Sequence, residues 1–382
     1  MAFRRNLLLV GAMLSLAASP PPVPVTAGPG YVPQDKLERG LWMQAEEGER
    51  ELKNSSFAIK DPALNAYVRT VFCKTVGDVE CKDVRIYLVR TPYFNANMAP
   101  NGMMQVYSGL FLRVRNEAQF AAILGHEYTH YAKRHTFDFY KDADKKLATG
   151  NWLGIVIPFI QLAMVGSIFT HSREMEAQAD AGSIPLMAQT GYDPHAASAV
   201  WEQLRAEMDA TAVARKQKSR KDKDRGMFET HPPTAERMAT LKVLGDKAAT
   251  PQSTNLGRSE YRAALAPFWA EFVDDQIKLN DFGATEFLLE SLAKDGWTSD
   301  LLYARGELYR ARGKPEDLPK AAGFYRDAIT GGTAPTEAWR GLGLALLRSG
   351  VKDEGQAALK DYIAKRPDAT DRAMMAMLAG VS

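Results

Sequence analysis

Cysteine is nearly absent, with only Cys73 and Cys81 among 382 residues. That excludes a cysteine-rich structural zinc module, whose sites usually take four protein ligands, many of them thiolates. Charge of one sign is also lacking: 48 Lys and Arg stand against 46 Asp and Glu, a net charge of +2. Such a balance gives no electrostatic reason for a nucleic-acid partner. One basic run, RKQKSRKDKDR (215–225), mixes Asp with Lys and contains no aromatic residue, so it reads as a solvated loop. Long apolar runs occur only near the amino terminus and at 151–170. Histidine is rare too, six in all, yet half of them fall in GHEYTHYAKRH (125–135). The remaining composition, 46% hydrophobic and 25% charged, is that of a globular chain long enough for two domains.

The amino terminus reads as an export signal. MAFRR is a basic n-region, NLLLVGAMLSLAA an apolar h-region, and SPPPVPVTAGPG a spacer of small residues and proline. Cleavage fits after Ala17 or Ala27, and Ala27 is preferred because Val25 and Ala27 suit a small-x-small pattern. The expected location is a bacterial periplasm. In that oxidising compartment Cys73 and Cys81, flanking a Gly-Asp turn, are expected to form a local disulfide. A metal-binding pair is disfavoured by their spacing and by the lack of nearby histidine.

Along the chain, residues 31–77 show helical periodicity, with an Asp-Pro start at 61–62. VRIYLVR (84–90) alternates as a strand, and MMQVYSGLF (103–111) as a second strand running into a turn at Gly109. A helix through HEYTH follows, with Asn116 as its cap. In 151–170, Pro158, Gln161 and two glycines argue against a membrane span. A buried helix is expected there, with contact at a membrane surface as the alternative. After the Thr/Ser/Pro/Gly stretch 245–257 the pattern turns to helix pairs. Aligning Gly306 with Gly343 gives a 37-residue period, and Trp339, Leu342, Gly343 and Pro367 sit as in a tetratricopeptide repeat. Such pairs stack into a curved solenoid with a concave face for partners.

On a helix, His126 and His130 project from one face, one turn apart. Two neutral imidazoles so placed can take two corners of a zinc site, with Glu127 beside them as a proton acceptor. A third ligand has to come from elsewhere. HSREMEAQAD (171–180) offers Glu174, Glu176 and Asp180, of which Glu176 and Asp180 share a helical face. Should Glu176 bind the same ion as both histidines, the two helices lie on one side of any membrane, and a single span through 151–170 is impossible.

Three segments, SGLFLRVRNEAQFAAILGHEYTHYAKRH, SREMEAQAD and HPPTAERMATL, together resemble metallopeptidase family forty-eight. That family includes the HtpX-like membrane proteases and the BepA-like periplasmic proteins, and the resemblance covers about 84–245. It implies an α+β, mostly α gluzincin fold with a small sheet. It also implies one Zn2+ per chain held by His126, His130 and Glu176, with Glu127 as catalytic base. By the same resemblance Asp180 orients a ligating histidine, and FNANMAPNG lies at the cleft edge. His231, opening HPPTAERM, either stands beside the metal, as oxyanion electrophile or water-blocking ligand, or caps and packs its helix. Arg237 either assists it or pairs with an acidic partner. His135 and His171 read as structural, and His195 as a surface turn residue.

The expected organisation is a signal peptide at 1–27, a zinc metallopeptidase domain at 28–250, a linker at 251–258 and tetratricopeptide-like repeats at 259–382. The expected function is metalloendopeptidase action on exported polypeptides in envelope quality control. The repeats would recruit substrate or a membrane-protein assembly partner. The alternative is a chaperone-like scaffold acting through the repeats, its zinc site latent.

Overall fold

The computed structural model describes residues 27–148, 172–219, 221 and 234–381, the side chains of 142–148 aside. The expected signal peptide up to residue 26, the apolar stretch 151–170, His171 and His231 lie outside the described residues. Ala27 is described and belongs to the core. It is 6% exposed, and its N–H donates to the Ala132 carbonyl at 2.8 Å.

The chain begins with helices α1 (Lys36–Asn54) and α2 (Pro62–Val76). Asp61 caps α2 by accepting the Leu64 N–H, and Pro62 fills a first-turn position where no donor is needed. A disulfide between Cys73 and Cys81 ties α2 to the short α3 (Asp78–Cys81) across a Cα separation of 5.1 Å. Strands β1 (Arg85–Val89), β2 (Ala96–Met98) and β3 (Met103–Tyr107) follow. Their order is β1-β3-β2, with β1 parallel and β2 antiparallel to the central strand. Among the described residues this makes β2 an edge.

The strand expected over 103–111 ends at Tyr107, and the chain turns into α4 (Ser108–Phe111). The Gly109 N–H donates to the Thr91 carbonyl, and a Cβ at Gly109 would lie 2.2 Å from the Pro92 carbonyl oxygen. Only glycine lets the backbone fold back so closely on residues 91–93.

Helix α5 (Glu117–Ala132) is capped by the Asn116 side chain, which accepts from the Gln119 N–H at 2.9 Å. Every residue from Glu117 to Tyr131 is buried, so α5 runs through the core and its polar side chains need partners inside the protein. Next come α6 (His135–Ala148), α7 (Arg173–Gln189), α8 (Ala196–Ala214) and α9 (Ala235–Ala248). Helices α5 and α7 cross closely at small residues. A Cβ on Gly182 would lie 2.5 Å from Thr129 Cγ2, and one on Gly125 would lie 3.5 Å from Ser183.

The remaining helices are α10 (Arg258–Leu265), α11 (Trp269–Ile277), α12 (Phe282–Leu292), α13 (Ser299–Arg312), α14 (Asp317–Thr330), α15 (Glu337–Arg348), α16 (Lys352–Lys365) and α17 (Arg372–Ala379). Residues 251–258, expected as a linker, are mostly exposed but tied down at a few positions. Ser253 is buried, Asn255 forms a β-bridge with Tyr192, and the Gly257 carbonyl accepts the Glu117 N–H. The main core does not divide there and continues to Leu308. Phe111 stacks on Phe272 at 6.0 Å, and the Tyr261 hydroxyl donates to the Phe111 carbonyl at 2.7 Å. A second core begins between α13 and α14 around Tyr303 and Tyr325. Gly306 and Gly343 occupy matching places in successive helix pairs: a Cβ on either would lie 2.6 Å from a facing side chain, Tyr325 or Leu359. The described residues are mostly helical, with one small sheet. Among the described residues no helix is long and apolar enough to cross a membrane.

Candidate active site

The α5–α7 crossing brings two histidines of one helix against a carboxylate of the other. Ligand atoms of His126, His130 and Glu176 lie within 4.8 Å of one another, and all three residues are buried. The two Nε2 atoms are 3.0 Å apart, and each is 3.5 Å from a Glu176 oxygen.

The outer partners assign the tautomers. His126 Nδ1 is 3.0 Å from Asp180 Oδ1, and a carboxylate only accepts, so the proton sits on Nδ1. Asp180 is held as an anion. Burial would raise its pKa, but the fork of Arg237, with bonds of 2.9 and 2.7 Å, outweighs burial and holds it below the usual carboxylate range. The third nitrogen of Arg237 lies 2.8 Å from Glu176 Oε2. Its guanidinium also stacks on the Trp201 ring at 4.3 Å. Arg237 thus bridges Glu176 and Asp180, anchored from α9.

His130 has its own chain of partners. Gln178 directs its amide nitrogen at Glu174 (3.5 Å), leaving Oε1 to accept from His135 Nε2 at 3.2 Å. The His135 Nδ1 lone pair then accepts from His130 Nδ1, 2.9 Å away. Burial lowers the His135 pKa, which suits a neutral ring in that role.

Both Nε2 atoms therefore point at each other and at the Glu176 carboxylate. Three acceptors converging in a buried site call for a cation. Burial opposes a charge on His126, yet Asp180 and Glu176 outweigh it and push its pKa up to about 9. The field that would hold a proton there also suits a metal ion, and a two-histidine, one-carboxylate set is a known catalytic donor set. The residues present fit such an ion.

Glu127, 4% exposed, lines the same narrow cleft as His126, together with Phe94, Asn95 and Ala96 at the start of β2 and Trp201 of α8. Glu174, by contrast, is exposed at the start of α7. The His195 ring bridges Asp193 and Asp246 at 2.8 and 3.0 Å, away from this cluster. Sequence reasoning read His135 as structural without placing it beside His130, and gave no role to Gln178 or Trp201. The only signal for His135 was the crowding of histidines in 125–135.

Comparison with known proteins places this cluster in a family. Residues 58–244 match the model of peptidase family M48. The mitochondrial metalloendopeptidase OMA1 of Schizosaccharomyces pombe is 27% identical over 155 residues, 37% of this chain and 44% of that protein. The beta-barrel assembly-enhancing protease of Yersinia pestis is 26% identical over 165 residues, 38% of this chain and 34% of that protein. Human mitochondrial metalloendopeptidase OMA1 is 29% identical over 193 residues, 44% of this chain and 35% of that protein. The matched part thus spans less than half the length of each of these relatives. Residues 58–244, the part that matches peptidase family M48, are also the part that carries the histidine–glutamate cluster.

Proposed function

We propose that the chain is a zinc-dependent metalloendopeptidase of the bacterial envelope, with His126, His130 and Glu176 holding the zinc and Glu127 as general base. The observation that carries this reading is the convergence of three buried potential ligand atoms beside a buried glutamate and an edge strand. When bound, zinc supplies Lewis acidity toward a peptide carbonyl and makes a nearby water more acidic. Glu127 takes the proton of the attacking water on a carboxylate oxygen and hands it to the leaving amine. Asp180 and His135 keep the two imidazoles in the tautomers that direct Nε2 inward. Arg237 offsets the combined charge of Glu176 and Asp180.

The substrate adds as a strand along β2. The Tyr107 N–H donates to the Asn95 carbonyl and the Ala99 N–H to the Met103 carbonyl, so the odd positions face β3. By the alternation of antiparallel pairing, the backbones of Ala96 and Met98 face away from β3 toward an incoming chain. Pairing through the main chain tolerates many sequences, which suits a protease acting on misfolded exported polypeptides.

Helices α11–α17 act as tetratricopeptide-like repeats that recruit substrate or an envelope assembly partner. The equivalent packing of Gly306 and Gly343 supports the repeat. The names of the beta-barrel assembly-enhancing relatives support the partner class. Metal content and cleavage of unfolded casein, measured on one purified sample before and after chelation, test this function. Zinc near one equivalent with chelator-sensitive cleavage upholds it; metal-loaded protein without cleavage overturns it.

A further inference from the structure

A second cavity of about 510 Å³ lies between the metallopeptidase core and helices α10–α12. Helix α8 separates it from the catalytic cleft. Ala197, Val200 and Trp201 face the cleft, whereas Ala199, Glu202 and Gln203 face the cavity. This volume falls in the range of pockets that hold small ligands or the end of a peptide. Trp269, Phe287 and Leu292 give it an apolar wall.

At its edge stands Arg115, partly buried, whose guanidinium makes no hydrogen bond or ion pair with any described residue. Glu202 and Arg258 act on it only through space. The neighbouring arginines are engaged: Arg113 with Glu207 at 2.7 Å, Arg258 with Asp295 at 3.3 Å, and Arg262 with the Leu292 carbonyl at 2.8 Å. Burial lowers the Arg115 pKa, yet a guanidinium does not lose its proton in a protein. Its charge is therefore held partly out of water without a hydrogen-bonded counter-ion, a cost that a bound anion would offset.

The planar fork of a guanidinium matches a carboxylate. Three acids on the cavity rim, Asp193, Glu202 and Asp295, disfavour a polyanion and leave room for a single negative charge beside an apolar group. We propose that this cavity is an exosite for the free C-terminal carboxylate of a polypeptide. Arg115 anchors the carboxylate, and Trp269, Phe287 and Leu292 receive the apolar side chains that precede it. The proposal needs no metal and stands apart from the reaction in the cleft.

The test uses the full chain carrying Glu127→Gln, so that the probe survives, and fluorescence anisotropy of amino-terminally labelled Ala-Ala-Phe-Leu. One form of the probe has a free C-terminal carboxylate and the other a C-terminal amide. The acid is expected to bind at least about tenfold more tightly than the amide, as a hydrogen bond to a charged group implies. Arg115→Gln, which removes a side chain without a protein partner, should weaken the acid about 10–100-fold and leave the amide unchanged. Glu202→Gln, which removes the opposing charge, should tighten the acid. Equal binding of acid and amide, wild-type binding by Arg115→Gln, or no binding of the acid at millimolar concentration would each overturn the proposal. So would weaker binding by Glu202→Gln.

Discussion

His135 Nδ1 lies 2.9 Å from His130 Nδ1, so one imidazole of the cluster is steadied by another from the next helix. His126 is steadied differently, by the Asp180 carboxylate at 3.0 Å. Both supports run back to α7, through Gln178 and Asp180.

His135→Ala leaves the His130 Nδ1–H without its acceptor and frees the ring to turn. Metal affinity should fall about 10–100-fold, the range for loss of such supporting partners, with little change in melting temperature. His135→Asn, which keeps an acceptor oxygen, should recover part of the loss. Competition with a chromophoric chelator measures both. Wild-type affinity in His135→Ala would return His135 to a packing role.

Gly182→Ala tests the helix crossing. Its Cβ would meet Thr129 Cγ2 at 2.5 Å and Oγ1 at 2.7 Å, and Thr129 is itself fixed by a bond to the Gly125 carbonyl at 2.7 Å. Separating α5 from α7 moves Glu176 away from both histidines. Overpacking of this kind costs about 1–3 kcal/mol, and here it should lower metal affinity together with stability. Calorimetry and metal titration on the same variant report the two effects. A fall in stability with intact metal affinity would show that Glu176 is positioned some other way.

The core that crosses residue 258 sets where the chain can be cut. Leu265, Phe272 and Leu289 are each 2% exposed or less. Burying three such side chains contributes about 1.5–3 kcal/mol each, a large share of the about 5–15 kcal/mol that holds a domain folded. A chain ending at residue 257 should therefore aggregate or melt far below the intact protein. One ending at residue 331, after α14, should fold and bind metal. Circular dichroism melts of the two truncations check this, and a stable, metal-binding chain ending at 257 would contradict it.

What could be read from the sequence tracks how local each signal is. His126, Glu127 and His130 lie within one helical turn, so their common face followed from spacing alone. The choice among Glu174, Glu176 and Asp180 depends on which face of α7 is buried. Spacing grouped Glu176 with Asp180, and only the resemblance picked out Glu176. In the structure Glu176 and Asp180 are buried and Glu174 is exposed. His135 escaped because α5 stops before it. Arg134 takes a left-handed backbone with φ of 61°, which breaks the helical run and swings His135 back over His130. Extrapolating the helix would have pointed it elsewhere. The anchoring of 251–258 was equally hidden, since Thr, Ser, Pro and Gly make up anchored turns as readily as loose linkers. Helix starts fared better, because Asp61 and Asn116 carry their capping chemistry in the local sequence.

The most direct measurement is zinc content and casein cleavage of Glu127→Gln and Glu176→Gln, side by side with the wild type. Glu127→Gln keeps the shape of the side chain but cannot take a proton. It should retain zinc near one equivalent while cleavage falls about 10²–10⁴-fold, the usual worth of a general base. Glu176→Gln removes an anionic donor from the cluster. It should lose activity together with metal, its affinity falling at least about 10–100-fold. Wild-type cleavage by Glu127→Gln, or full zinc retention by Glu176→Gln, would contradict the assignment of these two carboxylates.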